Sequence, residues 1–157
     1  MLLSEKNAMT EEIEELCSNY GSYRESLLPI LNDIQLRFGY VSEFAQQEIA
    51  RVLDIHPVEV YGVVTFYSFL SPKRLGKYII RLCRTISCDM AEKSSIARVL
   101  ERELGIRFGE TTSDMKFSLE YTNCLGMCDE SPAMLINEQV FTKLTPHRVA
   151  EIIRKYK

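Results

Sequence analysis

Two pairs of cysteines, each placed just past a short apolar run, constrain this chain more than any other feature. Cys83 and Cys88 lie in RLCRTISCDM, and Cys124 and Cys128 in TNCLGMCDES. The runs before them, Tyr78-Ile79-Ile80-Arg81-Leu82 and Phe117-Ser118-Leu119-Glu120-Tyr121, alternate or fill with apolar residues as β-strands do. Between them Ile96, Val99, Leu100 and Leu104 recur at helical spacing, and Gly105 supplies a stop. Strand, helix and strand inside about forty residues form a βαβ unit, whose strands run parallel. Parallel strands finish at one edge of a sheet. Both cysteine pairs are therefore expected at the same edge, with four thiols converging on one small volume.

The chain needs no disulfides to fold, because 157 residues can bury roughly 68–70% of the unfolded surface. Five cysteines, an odd number, follow a start (MLLSEKNAMT) whose apolar run is too short for an export signal. That combination points to a reducing compartment, with the cytoplasm as the expected location, and to metal or redox roles for paired cysteines. A formal net charge of −3 with mixed signs argues against nucleic acid as the main partner. The most apolar stretch, residues 60–70, falls short of the ~20 residues that span a bilayer, so direct membrane insertion is not expected.

Residues 10–70 read as helices. Residues 1–9 read as disordered. Thr10 can cap a first helix with Ile13, Leu16, Cys17 and Tyr20 on one stripe, which makes Cys17 a buried structural thiol. A second helix is expected over residues 22–38, lined by Leu27, Leu31, Ile34 and Phe38 and stopped by Gly39. Ser42 caps a third, with Ala45, Ile49, Val52 and Leu53 inward. His56-Pro57 opens a fourth over residues 58–70, apolar almost all round and expected at the centre of a bundle. His56 reads as a turn or cap residue, having no second ligand nearby.

Ser71-Pro72-Lys73-Arg74-Leu75-Gly76 combines a turn signal, two cations and a change of hydrophobic period. It divides the chain into a helical bundle over residues 1–72 and an α/β domain over residues 73–157. After the second cysteine pair, residues 132–137 and 140–144 read as a hairpin. Thr145-Pro146 then caps a closing helix with Val149, Ile152, Ile153 and Tyr156 on one side and a solvated His147 in its first turn.

Three chemistries suit four converging thiols. Disulfide exchange prefers C-x-x-C at a helix start, whereas the spacings here are C-x4-C and C-x3-C. Structural zinc takes four ligands from short knuckles, and the spacings leave it open. A 2Fe–2S cluster also takes four thiolates, and wider loops suit the larger object. There is no glycine-rich nucleotide motif after a strand and no phosphate loop. A cluster protein without its own substrate pocket is an electron carrier that needs a donor and an acceptor.

The cysteine frame, the segment GETTSDMKFSLEYTNCLGMCDESPAMLIN, and LLPILNDIQLRFGYVSEFAQQEIARVLDIHPVEVYGVVTFYSFL near the start resemble the thioredoxin-like 2Fe–2S subunit of NADH:quinone oxidoreductase. Relatives of that subunit occur in NAD(P)-dependent and bifurcating hydrogenases and in formate dehydrogenases. The resemblance covers about residues 23–155. It implies an α+β fold, with an N-terminal helical bundle followed by a thioredoxin-like α/β ferredoxin domain. It also implies a 2Fe–2S cluster on Cys83, Cys88, Cys124 and Cys128, and a partner subunit carrying FMN and NAD(P). The other outcome to be tested is a zinc-stabilised or apo scaffold that docks in the same kind of complex, with thiol oxidoreductase chemistry as a third. Two departures stand out. Thr85-Ile86 replaces the family's usual Gly-Thr, and Asp129 replaces a glycine after the last cysteine. With carboxylates at Asp89, Asp129 and Glu130, these departures lead to an expected reduction potential below the family's usual value.

Overall fold

The computed structural model describes residues 3–157, with side chains from residue 6. The chain divides into two compact units, Met1–Arg74 and Leu75–Lys157.

The first unit holds four helices, α1 (Leu3–Tyr20), α2 (Leu27–Phe38), α3 (Glu43–Leu53) and α4 (Pro57–Phe66). The expected disorder over residues 1–9 does not extend to residues 3–9, which are helical; residues 1–2 lie outside the described residues. No breaker interrupts this stretch, and Met9 is buried, with the Ser42 hydroxyl 3.5 Å from its sulfur. Burial of that side chain anchors a turn that local capping at Thr10 would have left out. Ile13, Leu16 and Cys17 face the core. Tyr20, expected beside them, points outward and donates its hydroxyl to Asp33 Oδ2 at 2.9 Å.

A single helix over residues 22–38 is replaced by a 3₁₀ turn, Arg24–Ser26, leading into α2. Ser26 is buried there and donates its hydroxyl to the Tyr20 carbonyl at 2.8 Å. The caps follow the sequence signals. Ser42 Oγ accepts from the Ala45 amide at 3.1 Å, and His56 Nδ1 accepts from the Val58 amide at 3.2 Å.

The fourth helix departs most from expectation. It stops at Phe66, and only Val60 and Val64 along it are buried, so it is not the centre of the bundle. Val58, Tyr61 and Phe66 are exposed, Phe66 to 80%. The chain leaves the helix because the segment after it has better partners elsewhere. Leu70 is buried, the Ser71 carbonyl accepts from the Val41 amide at 2.8 Å, and the Ser71 amide donates to Gln35 Oε1 at 2.9 Å.

The second unit is built on a four-stranded mixed sheet of order β2-β1-β3-β4. Its strands are β1 (Tyr78–Cys83), β2 (Phe117–Thr122), β3 (Met134–Ile136) and β4 (Gln139–Phe141). β1 and β2 are parallel, from Tyr78↔Phe117 to Cys83↔Thr122. β3 runs antiparallel to β1, and β4 antiparallel to β3. Two helices, α6 (Lys93–Leu104) and α7 (Pro146–Tyr156), share a core with the sheet. Ile96 and Leu100 of α6 and Val149 and Ile153 of α7 are buried with Ile80, Leu82, Leu119, Met134 and Ile136. A short helix, α5 (Ile86–Met90), lies inside the first cysteine loop and was not expected.

At the foot of the β1–β2 ladder, Gly76 makes the closest backbone approach. A Cβ there would sit 2.8 Å from the Phe117 carbonyl carbon, and the Gly76 amide donates to Ser118 Oγ at 2.8 Å. Among the described residues, no helix is long and apolar enough to cross a membrane.

Candidate metal centre

Strand β1 ends on Cys83, and the ladder fixes its position from both sides. The Cys83 amide donates to the Ala133 carbonyl at 3.1 Å, and the next amide, Arg84, donates to the Thr122 carbonyl at 3.0 Å. The chain then turns at Thr85 into α5, where Cys88 is buried. On the other side β2 ends at Thr122, and Cys124 and Cys128 follow as exposed thiols whose sulfurs are 3.3 Å apart. Gly126 adopts a left-handed φ of +79°, which aims its amide at Cys124 Sγ, 3.4 Å away. Parallel pairing thus delivers both cysteine segments to the same end of the sheet.

Contacts between the loops tie the two segments together. The Leu125 amide and the Cys88 thiol act to lower the Cys83 thiol, and the Ser87 hydroxyl acts to lower that of Cys128. Ser131 Oγ lies 3.7 Å from Cys88 Sγ and donates to the Cys128 carbonyl at 2.9 Å. Burial alone would push the Cys83 thiol up. The Thr85 hydroxyl, 3.2 Å away, together with the Thr85 amide, Cys88 and the Leu125 amide, more than offsets burial, and the group is held below the ordinary thiol value. Cys128 is raised instead, first by its hydrogen bond with Cys124 and then by that neighbour's charge.

The donor set is compatible with a two-iron cluster. Among the described residues, no three His, Cys, Asp or Glu side chains are gathered closely enough to hold a metal ion. The thiols fall into two pairs, Cys83 with Cys88 and Cys124 with Cys128, and a 2Fe–2S cluster takes its four cysteines two per iron. Cys17 lies in the core of the helical unit, where burial, followed by the charge of Glu14, raises its thiol. His56 caps α4, and His147 is an exposed residue in the first turn of α7.

The structure adds residues that the cysteine spacing did not single out. Thr85, Ser87 and Ser131 supply hydroxyls around the sulfurs. All three sit in or beside the cysteine loops, which was the available signal. The acidic residues are also handled individually. Asp89 pairs with Lys93 at 2.6 Å and Glu130 with Lys143 at 2.9 Å. The Lys143 hydrogen bond, followed by that of Thr142, holds the Glu130 carboxyl below the usual carboxylate range. Asp129 makes no ion pair among the described residues. Of three carboxylates expected to add negative charge near the sulfurs, two carry their own counter-ions.

A mixed sheet whose parallel half presents two thiol pairs at one rim defines a metal-binding α+β protein of ferredoxin type. Residues 13–157 match the family described as thioredoxin-like [2Fe-2S] ferredoxin, and the chain belongs to that family. Its cofactor is accordingly a 2Fe–2S cluster. The chain is similar to a subunit of the NADH-quinone oxidoreductase of Buchnera aphidicola, at 37% identity over 151 residues, 96% of this chain and 93% of the relative. The counterpart in Escherichia coli (strain K12) is 37% identical over 150 residues, 96% of this chain and 90% of that protein. The alpha subunit of the NAD-reducing hydrogenase HoxS of Cupriavidus necator is 36% identical over 149 residues, 95% of this chain. This chain spans only 25% of that hydrogenase polypeptide. A crystal structure of NAD+-reducing [NiFe]-hydrogenase in the air-oxidized state matches with a TM-score of 0.67 at 23% identity. That match covers 80% of this chain and 22% of the hydrogenase chain, and it shows the fold.

Proposed function

We propose that this chain is a one-electron carrier subunit whose 2Fe–2S cluster is held by Cys83, Cys88, Cys124 and Cys128. It exchanges electrons with a flavin- and NAD(P)H-binding partner subunit of a multi-subunit oxidoreductase in the cytoplasm. The helical unit and the α/β unit divide the work, with the cluster confined to the latter. The observation that carries this reading is the delivery of both cysteine segments to one end of the parallel β1–β2 ladder, where Ser131 Oγ lies 3.7 Å from Cys88 Sγ and donates to the Cys128 carbonyl. Held there, a 2Fe–2S cluster would supply a one-electron store that the reduced flavin of the partner could fill, with no bond or proton transferred. The chain's own residues hold the thiolates, direct amides and hydroxyls at the sulfurs, and leave Cys124 and Cys128 exposed at the surface where an electron must cross.

The test is metal and sulfide analysis of anaerobically purified protein, with electron-paramagnetic resonance after reduction. Two irons and two sulfides per chain with a reduced-cluster signal are expected. A colourless protein with one zinc would make it a scaffold and overturn the proposal. Changing any one of Cys83, Cys88, Cys124 or Cys128 to Ala should abolish or badly disturb the visible spectrum, and Cys17→Ala should leave it intact.

A further inference from the structure

Lys93 occupies a place that its own helix does not favour. It is the first residue of α6, where the positive end of the helix dipole disfavours a cation, and that first turn holds no acidic residue. Its side chain is nevertheless only 13% exposed, against 66% for Lys143 in the other ion pair near the cysteines. Lysine is almost never buried without a partner. The partners here come from both cysteine segments. Nζ lies 2.6 Å from Oδ1 of Asp89, the residue after Cys88, and 5.7 Å from the centre of the Tyr121 ring, three residues before Cys124. Tyr121 is itself fixed by stacking on Phe108, with ring centroids 3.8 Å apart. A shielded cation thereby touches one residue from each cysteine segment.

We propose that Lys93 is an electrostatic determinant of the cluster's reduction potential, stabilising the reduced form. The inference rests on the cluster assignment above. A 2Fe–2S centre with four thiolate ligands carries a net charge that becomes one unit more negative on reduction. A nearby positive charge therefore favours uptake of the electron, and one withdrawn from water is screened less than one on the open surface. Asp89 opposes it, so the pair nearly cancels, and removing either partner alone exposes the charge of the other.

The test is a dithionite titration of the cluster-loaded full chain, followed by visible circular dichroism. Lys93→Met should shift the reduced-to-oxidised ratio at a fixed potential roughly tenfold toward oxidised, which is about 59 mV for a one-electron couple. Lys93→Arg should keep the wild-type midpoint. Asp89→Asn should move the midpoint upward, and the double variant should return close to wild type. An unchanged or raised midpoint in a Lys93→Met protein with an intact cluster spectrum overturns the proposal. Should that variant load no cluster, Asp89→Asn decides alone, and an unchanged or lowered midpoint there overturns it. A wild-type protein without a two-iron spectrum would sink the cluster assignment itself, an outcome distinct from an unmoved midpoint.

Discussion

Cys83 shows how one side chain is tuned by its surroundings: burial opposes its charge, and neighbouring hydrogen-bonding groups, the Thr85 hydroxyl first, restore it. The carboxylates beside it are less uniform than their letters suggest. With Asp89 and Glu130 each in an ion pair, Asp129 is the one of the three without a counter-ion among the described residues, and the expected lowering of the potential would rest mainly on it. Asp129→Gly should therefore raise the cluster midpoint in a redox titration, and an unchanged or lower value would reject that role. Cys17 allows a separate check on linkage. Its thiol is raised by burial and then by Glu14, so the folded state keeps a proton that the unfolded chain loses above about pH 9. The unfolded state then binds fewer protons than the native one, and stability falls as pH rises through that range. Comparing unfolding midpoints between pH 8 and 10, we expect a shallower decline in Cys17→Ala than in wild type. Equal slopes would show that the thiol does not contribute.

Strands and caps were the most legible elements, because their signals are local. The β1 and β2 runs, the Ser42, His56 and Thr145 caps and the closing helix all lie where alternation, cap chemistry and helical spacing place them. Three features were not legible, and each depends on a distant partner. The early start of α1 depends on Met9 reaching the core, and the early end of α4 on Leu70 and Ser71 packing across the bundle. α5 depends on the Asp89 amide donating to the Thr85 carbonyl at 3.0 Å inside a loop that reads as irregular. The thiol rim was visible as a spacing, but its hydroxyls and Lys93 were not, because Ser, Thr and Lys have no periodic signature. The foot of the sheet offers a further prediction. Gly76→Ala places a methyl 2.8 Å from the backbone of Phe117, where no flexible side chain can yield. Overpacking of this kind costs about 1–3 kcal/mol, and chemical denaturation should register it. A variant as stable as wild type would show that the strands can part there without loss.

The division into Met1–Arg74 and Leu75–Lys157 makes the joining segment a distinct target. Lys73 and Arg74 are exposed, so brief trypsin treatment should cut first after one of them and leave two resistant fragments. Early cleavage within α2 or α6 would contradict the division into two units. The anchoring of Cys83 has a further consequence. Its amide and that of Arg84 are bonded to backbone carbonyls on opposite sides, Ala133 and Thr122. Those attachments involve no side chain, so they survive almost any substitution in the surrounding loops. Substitution can therefore rewrite the chemistry around the Cys83 sulfur while the backbone that carries it stays where it is.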